Sequence, residues 1–199
     1  MLTFDPASHT YRWKGELVPN LTRILEPLVD YSKVDPDILA YKSELGSAVH
    51  LATALDDRRQ LDEEGLDERV VPYLAAWRKF RRETEFIPIT IEEPCYSVQH
   101  GYATTPDRAG VFPRALVDGT GLAMLEIKTT AELHPVVGLQ LAGQQAAHAH
   151  NDPDFREAWR YAVQLRPDGT YRMKIYGDRG DFSTFLSQLN VFRWRQRNE

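Results

Sequence analysis

The chain lacks the features that mark secreted, disulfide-bonded and membrane proteins. It has one cysteine, Cys95, in 199 residues, so no disulfide can form within the chain and a reducing compartment is favoured. No apolar run is long enough to span a bilayer, and the first residues show no basic segment followed by an apolar core. We therefore expect a cytoplasmic protein with no membrane partner.

Motifs for zinc binding and for nucleotide-driven motors are also missing. His134, His148 and His150 lack the Cys or His pairs that structural zinc sites need, and we expect them at the surface. Cys95 has no basic or His partner at motif spacing, which predicts a small buried apolar side chain. There is no GxxxxGKT loop of a helicase, which leaves processive action on a polymer unexplained.

Excess positive charge is absent as well. The formal net charge is −5, which argues mildly against nonspecific binding of nucleic acid, because phosphate contacts need local Lys and Arg. Carboxylates that hold divalent cations would themselves make a chain acidic. Positive charge clusters at Arg78, Lys79, Arg81 and Arg82 and again at Arg193, Arg195 and Arg197. Each cluster taken singly is typical of a solvated helix face.

The first part of the sequence is mainly helical in pattern. A hairpin is predicted around Lys14-Gly15, and Asn20 or Thr22 could cap a following helix. Asp35 as N-cap and Pro36 at the first helical position predict a helix that ends near Asp56. A second amphipathic helix is predicted over 70–86.

Strand patterns then dominate, in the predicted order β-β-β-α-β-β-α. The segments are IPITIEEPCYSVQ, a hairpin whose turn holds Asp118-Gly119, the strand GLAMLEIKTT, a small-residue helix, a hairpin at Pro167-Asp168-Gly169 and a final helix. We expect an α/β fold with a mixed central sheet of about four or five strands flanked by helices. One domain is predicted over 1–199, with 1–85 its mainly helical N-terminal portion and 86–199 the sheet with its flanking helices.

The residues that suggest chemistry are Asp107, Glu126 and Lys128. Glu126 and Lys128 stand two positions apart on a predicted strand, so their side chains share one face, where a strand shaped only by burial would carry apolar residues. If a neighbouring strand brings Asp107 alongside, two carboxylates converge next to an ammonium group. Such a site suits Mg²⁺ or Mn²⁺ and hydrolysis of phosphodiesters.

Together these residues resemble the PD-(D/E)XK nuclease superfamily, in particular its RecB-like branch, which includes phage exonucleases. The resemblance rests on Thr105-Pro106-Asp107 and Glu126-Ile127-Lys128, with GSAVH at 46–50 similar to the GxxxH helix motif and LQLAGQQ at 139–145 similar to the QxxxY helix motif. The motifs arrive in the order of the family. The resemblance implies a restriction-endonuclease-like fold and a metal-dependent deoxyribonuclease.

The resemblance also assigns roles to residues. It implies that His50, Asp107, Glu126 and the backbone carbonyl of Ile127 hold two ions of Mg²⁺ or Mn²⁺, with Lys128 as the catalytic lysine. Glu93 would match a further acidic position near the metals, but Glu92 competes for that role and strand alternation does not choose between them. Gln140 matches the helix glutamine that helps position the lysine or the DNA.

One position departs from the family pattern. Four residues after Gln140, where the family usually has Tyr, this chain has Gln144, which could keep a polar contact but not a stacking surface. The expected activity is exonucleolytic, in DNA recombination, repair or replication in a bacterial or phage-infected cell. A structure-specific or site-specific endonuclease and a non-hydrolytic nucleic-acid-binding protein are the alternatives. A protein partner or an oligomer is compatible with either.

Overall fold

The computed structural model describes residues 1–6, 8–117, 119 and 121–199. Strands β1 (Leu2–Asp5), β2 (Thr10–Trp13) and β3 (Glu16–Val18) form a small antiparallel sheet. Lys14 and Gly15 join β2 to β3 with φ values of 53° and 90°, as the tight turn of a two-residue hairpin requires. The predicted hairpin at this position is confirmed. The predicted turn at Asp118-Gly119 lies partly outside the described residues.

Three helices follow, and the caps of the first two match the sequence signals. Helix α1 (Leu21–Leu25) is capped by Asn20, whose side chain accepts a hydrogen bond from the backbone N–H of Arg23. A short 3-10 turn over Glu26–Leu28 comes next. Helix α2 (Pro36–Asp57) is capped by Asp35 as predicted, and helix α3 spans Val71–Thr84. Asn20, not Thr22, is therefore the cap of the first helix.

The remaining strands are β4 (Ile87–Ile91), β5 (Cys95–Ser97), β6 (Tyr102–Thr104), β7 (Arg108–Val111), β8 (Leu122–Lys128), β9 (Trp159–Leu165) and β10 (Tyr171–Ile175). Helix α4 (Val136–His148) and a 3-10 turn (Pro153–Glu157) lie between β8 and β9, and helix α5 (Gly180–Asn198) follows β10. Between α3 and α4 the pattern predicted three strands, whereas the described residues form five. The difference arises because two predicted strands are each divided in two. IPITIEEPCYSVQ forms β4 and β5, which are separated by a bend at Glu92, and the next segment forms β6 and β7.

The central sheet of the described residues has the strand order β10-β9-β8-β7-β4. Strands β8 and β9 are parallel and the other neighbours are antiparallel, which is the mixed sheet that was predicted. Strand β4 is an edge strand, and its pairing with β7 shifts register at a bulge between Pro88 and Thr90. A β8–β9 parallel pair needs a crossover connection, and α4 supplies it.

Alternation along β8 divides its side chains between two apolar cores. Leu125 and Ile127 pack with residues of α2 and α3, including Val49 and Trp77. Met124 instead packs with Leu141 of α4. Because Glu126 and Lys128 share the face of Met124, they are directed toward α4.

The structure also tests smaller expectations about Cys95 and His148. Cys95 is buried, as predicted. His148 was expected at the surface, but it is 6% exposed because its ring packs edge-on against Phe155. Within the described residues, none of the helices is both long enough and apolar enough to cross a membrane.

Candidate active site

The end of β8 carries a dense cluster of polar side chains. Glu126 is 2% exposed, and its Oε1 accepts hydrogen bonds from Lys128 Nζ at 2.7 Å and from Gln140 Nε2 at 2.6 Å. Its Oε2 accepts a hydrogen bond from Gln144 Nε2 at 2.8 Å. Lys128 also donates to Gln140 Oε1 at 3.2 Å. Helix α4 therefore holds the carboxylate and the ammonium in one fixed arrangement, through Gln140 and Gln144 one turn apart.

Asp107 meets this cluster from the neighbouring strand. It directly precedes β7, which pairs antiparallel with β8 in a register that places Arg108 opposite Leu125. Its Oδ2 accepts a hydrogen bond from the backbone N–H of Ile127 at 2.6 Å. The expected convergence of Asp107 with the Glu126-Ile127-Lys128 segment is thus present in the fold. The role of the Ile127 carbonyl as a metal ligand stays a prediction.

His50 approaches Asp107 from helix α2. Its Nδ1 lies 3.4 Å from Asp107 Oδ1 and 3.5 Å from Glu92 Oε1. One ligand atom from each of these three residues lies within 4.8 Å of the others, a spacing that could hold a metal ion. One turn earlier, Gly46 faces Thr129, since a Cβ added there would lie 3.6 Å from Thr129 Oγ1. Helix α2 therefore passes close to the segment that follows β8.

The acidic residue near His50 is Glu92, whereas Glu93 is exposed and lies outside this group. Strand β4 ends at Ile91, and Glu92 has a left-handed φ of 51°. Its backbone N–H donates to the carbonyl of Asp107 at 3.1 Å. A bend at Glu92 breaks the strand alternation, so Glu92 rather than Glu93 lies beside His50 and Asp107. Sequence reasoning left the two open because strand alternation does not encode a left-handed φ at a residue other than glycine.

Burial and charge act on the titratable groups in opposite directions. Burial of the imidazole opposes its protonation, but the carboxylates of Asp107 and Glu92 outweigh burial and raise the pKa of His50 to about 10. Burial likewise favours the neutral acid of Asp107, yet the charge and hydrogen bond of His50, the charge of Lys128 and the hydrogen bond from Ile127 together outweigh burial and lower the pKa of Asp107. Together they form a closely paired imidazolium and carboxylate when no cation is bound.

Glu126 and Lys128 are perturbed in the same surroundings. Burial and the nearby Asp107 carboxylate raise the pKa of Glu126, against the opposing effect of Lys128. Burial disfavours the ammonium of Lys128, but Glu126 and Asp107 outweigh it and raise the pKa of Lys128. Two carboxylates that raise each other's cost of ionisation are a typical environment for a cation.

The donor set fits a divalent cation. Carboxylate oxygens of Glu92 and Asp107 are hard ligands that suit Mg²⁺ and Mn²⁺. The imidazole of His50 beside them suits Mn²⁺, which is a transition metal. Glu126 lies close enough to Asp107 for the Asp107 carboxylate to raise the pKa of Glu126. A cation between these groups would relieve the repulsion that raises the pKa of Glu126.

The basic clusters noted in the sequence are partly neutralised by ion pairs. Arg78 binds Asp56 and Glu63, and Arg81 binds Asp57. Arg193 donates to the backbone carbonyls of His100 and Gly101. These three arginines therefore have structural contacts that their spacing in the sequence did not reveal.

Arg108 is a further residue near the site that sequence reasoning missed. Its side chain is fully buried and lies between Asp57 and Glu92. A charged residue directly after Asp107, at the start of a strand with small apolar neighbours, is the one signal in the sequence that could have indicated it.

Comparisons with known proteins give structural likeness without sequence likeness. No protein-family model matches the chain, and no curated protein matches it. Among solved structures, it is similar to an alkaline exonuclease (LHK-Exo) from Laribacter hongkongensis, with 13% sequence identity and a TM-score of 0.50, over 90% of this chain and 87% of the other. LHK-Exo in complex with dAMP gives 12% identity and a TM-score of 0.49, over 91% and 88% of the two chains. At such low identity the likeness establishes the fold, and the predicted mixed α/β fold class is confirmed.

Proposed function

We propose that this chain is a divalent-metal-dependent nuclease that hydrolyses phosphodiester bonds of DNA. The observation that carries the proposal is the position of Asp107, which contacts His50 with one carboxylate oxygen and the backbone of Ile127 with the other. The Asp107 side chain therefore links the buried Glu126–Lys128 pair to a cluster that could hold a metal. A nuclease needs these two groups side by side, one to hold cations and one to act on the phosphate and the attacking water.

The proposed cation ligands are His50, Glu92, Asp107, Glu126 and the carbonyl of Ile127, with two ions of Mg²⁺ or Mn²⁺. When bound, such ions would stabilise charge on the phosphate and make a water molecule a better nucleophile. Glu93 is not included, because it is exposed and lies outside the group of His50, Glu92 and Asp107.

The other side chains of the cluster would act on the substrate and the water. The raised pKa of Lys128 keeps it an ammonium group at neutral pH, so it is suited to donate a hydrogen bond to the attacking water or to a phosphate oxygen, and less suited to remove a proton. Gln140 contacts both Lys128 and Glu126, which fixes the direction of that donor. Gln144 would restrain the second oxygen of Glu126.

The exonuclease mode and the cellular role are finer parts of the proposal. The similar protein from Laribacter hongkongensis is named an alkaline exonuclease, which favours cleavage from DNA ends. We infer a single nuclease domain over 1–199 that acts in the cytoplasm of a bacterial or phage-infected cell, in recombination, repair or replication.

The test of hydrolysis uses purified protein, end-labelled single- and double-stranded DNA, and Mn²⁺ or Mg²⁺. The wild type should release labelled products, and EDTA should abolish the release. Glu126→Gln and Lys128→Ala should each lower kcat by at least about a hundredfold, since each removes a group that acts on the transition state. Glu93→Gln is the matched control and should retain wild-type activity. Equal rates for all four proteins, or no metal-dependent cleavage, would overturn the proposal.

The test of exonuclease mode compares linear DNA with closed circular DNA of the same sequence. An enzyme that needs an end should degrade the linear form and leave the circle intact. Cleavage of the circle at a comparable rate would instead establish an endonuclease. Binding of both forms without cleavage would indicate a non-hydrolytic nucleic-acid-binding protein.

A further inference from the structure

Arg108 is a fully buried arginine that directly follows Asp107 in the chain. Its side chain is 0% exposed, and its guanidinium carbon lies 5.3 Å from the ring centroid of Trp77. Arginine is rarely buried without partners, because removing its charge from water is costly. The contacts of its guanidinium group therefore show what the residue does.

One side of the guanidinium binds Asp57, near the end of helix α2. Arg108 Nε donates to Asp57 Oδ2 at 2.7 Å. Asp57 also accepts a hydrogen bond from Trp77 Nε1 at 3.2 Å and forms an ion pair with Arg81. Asp57 therefore has a second cationic partner in Arg81, so the Asp57 charge by itself does not require Arg108.

The other side of the guanidinium contacts Asp107 and Glu92 of the candidate metal cluster directly and reaches His50 through Thr53. Arg108 Nη1 donates to the backbone carbonyl of Asp107 at 2.6 Å and lies 3.5 Å from Glu92 Oε1. Arg108 Nη2 donates to Thr53 Oγ1 at 3.3 Å, and the Thr53 hydroxyl donates to the carbonyl of His50 at 3.0 Å. One planar group thus reaches His50, Glu92 and Asp107, either directly or through a single hydroxyl.

The backbone at Glu92 needs such support. A left-handed conformation is unfavourable for a residue with a side chain and persists where surrounding contacts hold it. The φ of Glu92 is 51°, and its N–H binds the same Asp107 carbonyl that accepts from Arg108. In the peptide group that joins Ile91 to Glu92, the Ile91 carbonyl accepts a hydrogen bond from Arg58 Nη2 at 2.6 Å. Arg58 therefore supports this peptide group directly, and Arg108 supports it through the shared Asp107 carbonyl.

We propose that Arg108 is a positioning residue that sets the spacing of His50, Glu92 and Asp107 for a divalent cation, an inference that rests on the metal site of the proposed function. A general stabilising role is the simpler alternative. It explains the pairing with Asp57, but buried ion pairs are often no more stabilising than apolar residues of the same size. It does not explain why the guanidinium is linked to all three residues of one cluster, to two of them directly and to His50 through Thr53.

The test measures Mn²⁺ binding to the DNA-free protein by isothermal titration calorimetry, with thermal unfolding recorded for each variant in EDTA. Arg108→Met should remain folded and bind Mn²⁺ about 10–100-fold more weakly, the usual effect of removing a group that orients metal ligands. Arg108→Lys keeps the charge but lacks the planar fork, so it should weaken binding to a similar extent. Thr53→Val removes only the link to His50 and should cause a smaller decrease.

Arg81→Met is the matched control, because Arg81 shares Asp57 and the Trp77 ring with Arg108 but has no hydrogen bond or ion pair to the cluster among the described contacts. It should lower thermal stability while Mn²⁺ affinity stays within about twofold, below the range expected of an orienting group. In activity assays, excess Mn²⁺ should restore most of the kcat of Arg108→Met.

Three results would decide against the inference. These are unchanged Mn²⁺ affinity in both Arg108 variants, an equal loss of affinity in Arg81→Met, and a wild type that does not bind Mn²⁺. A wild type that binds Mn²⁺ but leaves DNA intact would overturn the proposed nuclease activity alone, since the binding measurements would still establish the role of Arg108.

Discussion

At the scale of single residues, Asp107 links the two sides of the candidate site. Its two oxygens bind different elements, Ile127 of β8 and His50 of α2. A carboxylate held in this way cannot rotate without losing one of the two contacts. We expect Asp107→Asn to disturb both sides of the site, because an amide offers one acceptor oxygen where the carboxylate offers two.

The raised pKa of His50 predicts how the stability of the metal-free protein depends on pH. Its folded-state pKa of about 10 lies above the ordinary value of 6.5, so its contribution to stability is complete below about pH 6.5 and is lost as pH rises toward 10. In EDTA, the wild type should lose thermal stability between about pH 7 and 9. His50→Gln should be less stable than the wild type at pH 7 and should lose less stability over that window. The difference in Tm between the two proteins, followed against pH, checks this, and parallel curves would contradict it.

Gln144 predicts a shift in the pH dependence of activity. Its hydrogen bond to Glu126 favours the ionised carboxylate, so Gln144→Leu should raise the pKa of Glu126. If ionised Glu126 is needed for cleavage, the acid limb of the kcat profile should move to higher pH, with about tenfold lower activity on that limb. Gln145→Leu is the control, since Gln145 binds the carbonyls of Phe155 and Ala158 and not Glu126. It should lower Tm and leave the acid limb in place.

The residues that sequence reasoning predicted share a simple geometric basis. Glu126 and Lys128 must share a face of strand β8, because they are two positions apart. Asp107 lies beside them because it directly precedes β7, the strand that pairs with β8. The positions of Glu92 and Arg108 depend on a backbone bend and on long-range packing, which strand periodicity does not encode. Gln144 donates a hydrogen bond to Glu126, a partner that the sequence alone did not identify.

At the scale of elements, the sequence predicted helix starts and turns correctly where a residue type has a specific role in capping a helix or forming a turn. Asp35 and Pro36 start helix α2, and Lys14-Gly15 forms the turn of a hairpin. The strands between α3 and α4 were harder to predict, because β5 and β6 have only three residues each. Strands this short carry too little alternation to be separated from the turns beside them.

Gly110 makes the close approach of β4 to β7 possible. A Cβ at this position would lie 2.3 Å from the backbone oxygen of Ile87 and 2.6 Å from the ring of Phe86. Gly110→Ala should therefore displace β4 and cost about 1–3 kcal/mol of unfolding free energy, which lowers Tm by about 2–4 °C for each kcal/mol.

The displacement should extend to the site, because Glu92 directly follows β4. We expect Gly110→Ala to bind Mn²⁺ more weakly than the wild type. Gly65→Ala is the control, since only the tip of Asp62 lies within contact distance of an added Cβ there, and it should change stability by less than about 0.5 kcal/mol. Equal Tm values for the two variants would show that the strands can adjust without strain.

At the scale of the whole molecule, the candidate metal cluster joins three separate parts of the chain. His50 belongs to α2, Glu92 follows β4, and Asp107 precedes β7. A cation that binds the folded chain and not the unfolded one should raise stability by RT ln(1 + [L]/Kd), or about 2.7 kcal/mol at a hundred times Kd. Mn²⁺ should therefore raise Tm by about 5–11 °C at that concentration.

Thermal unfolding in Mn²⁺ and in EDTA measures this stabilisation directly. Glu92→Gln should lose most of the increase in Tm, whereas Glu93→Gln should keep it. The pair thereby separates the two adjacent glutamates by a whole-protein measurement. An increase in Tm that survives Glu92→Gln and disappears in Glu93→Gln would reverse the assignment.

The irregular edge strand β4 also affects how the molecule behaves among its own copies. Its Ile87 and Ile89 are more than half exposed, and an exposed apolar edge strand can pair with the sheet of another molecule. Pro88 has no N–H to offer to such a partner, and the bulge between Pro88 and Thr90 distorts the edge. The strand that leads into Glu92 is thus a poor template for aggregation, although it forms an open edge of the central sheet.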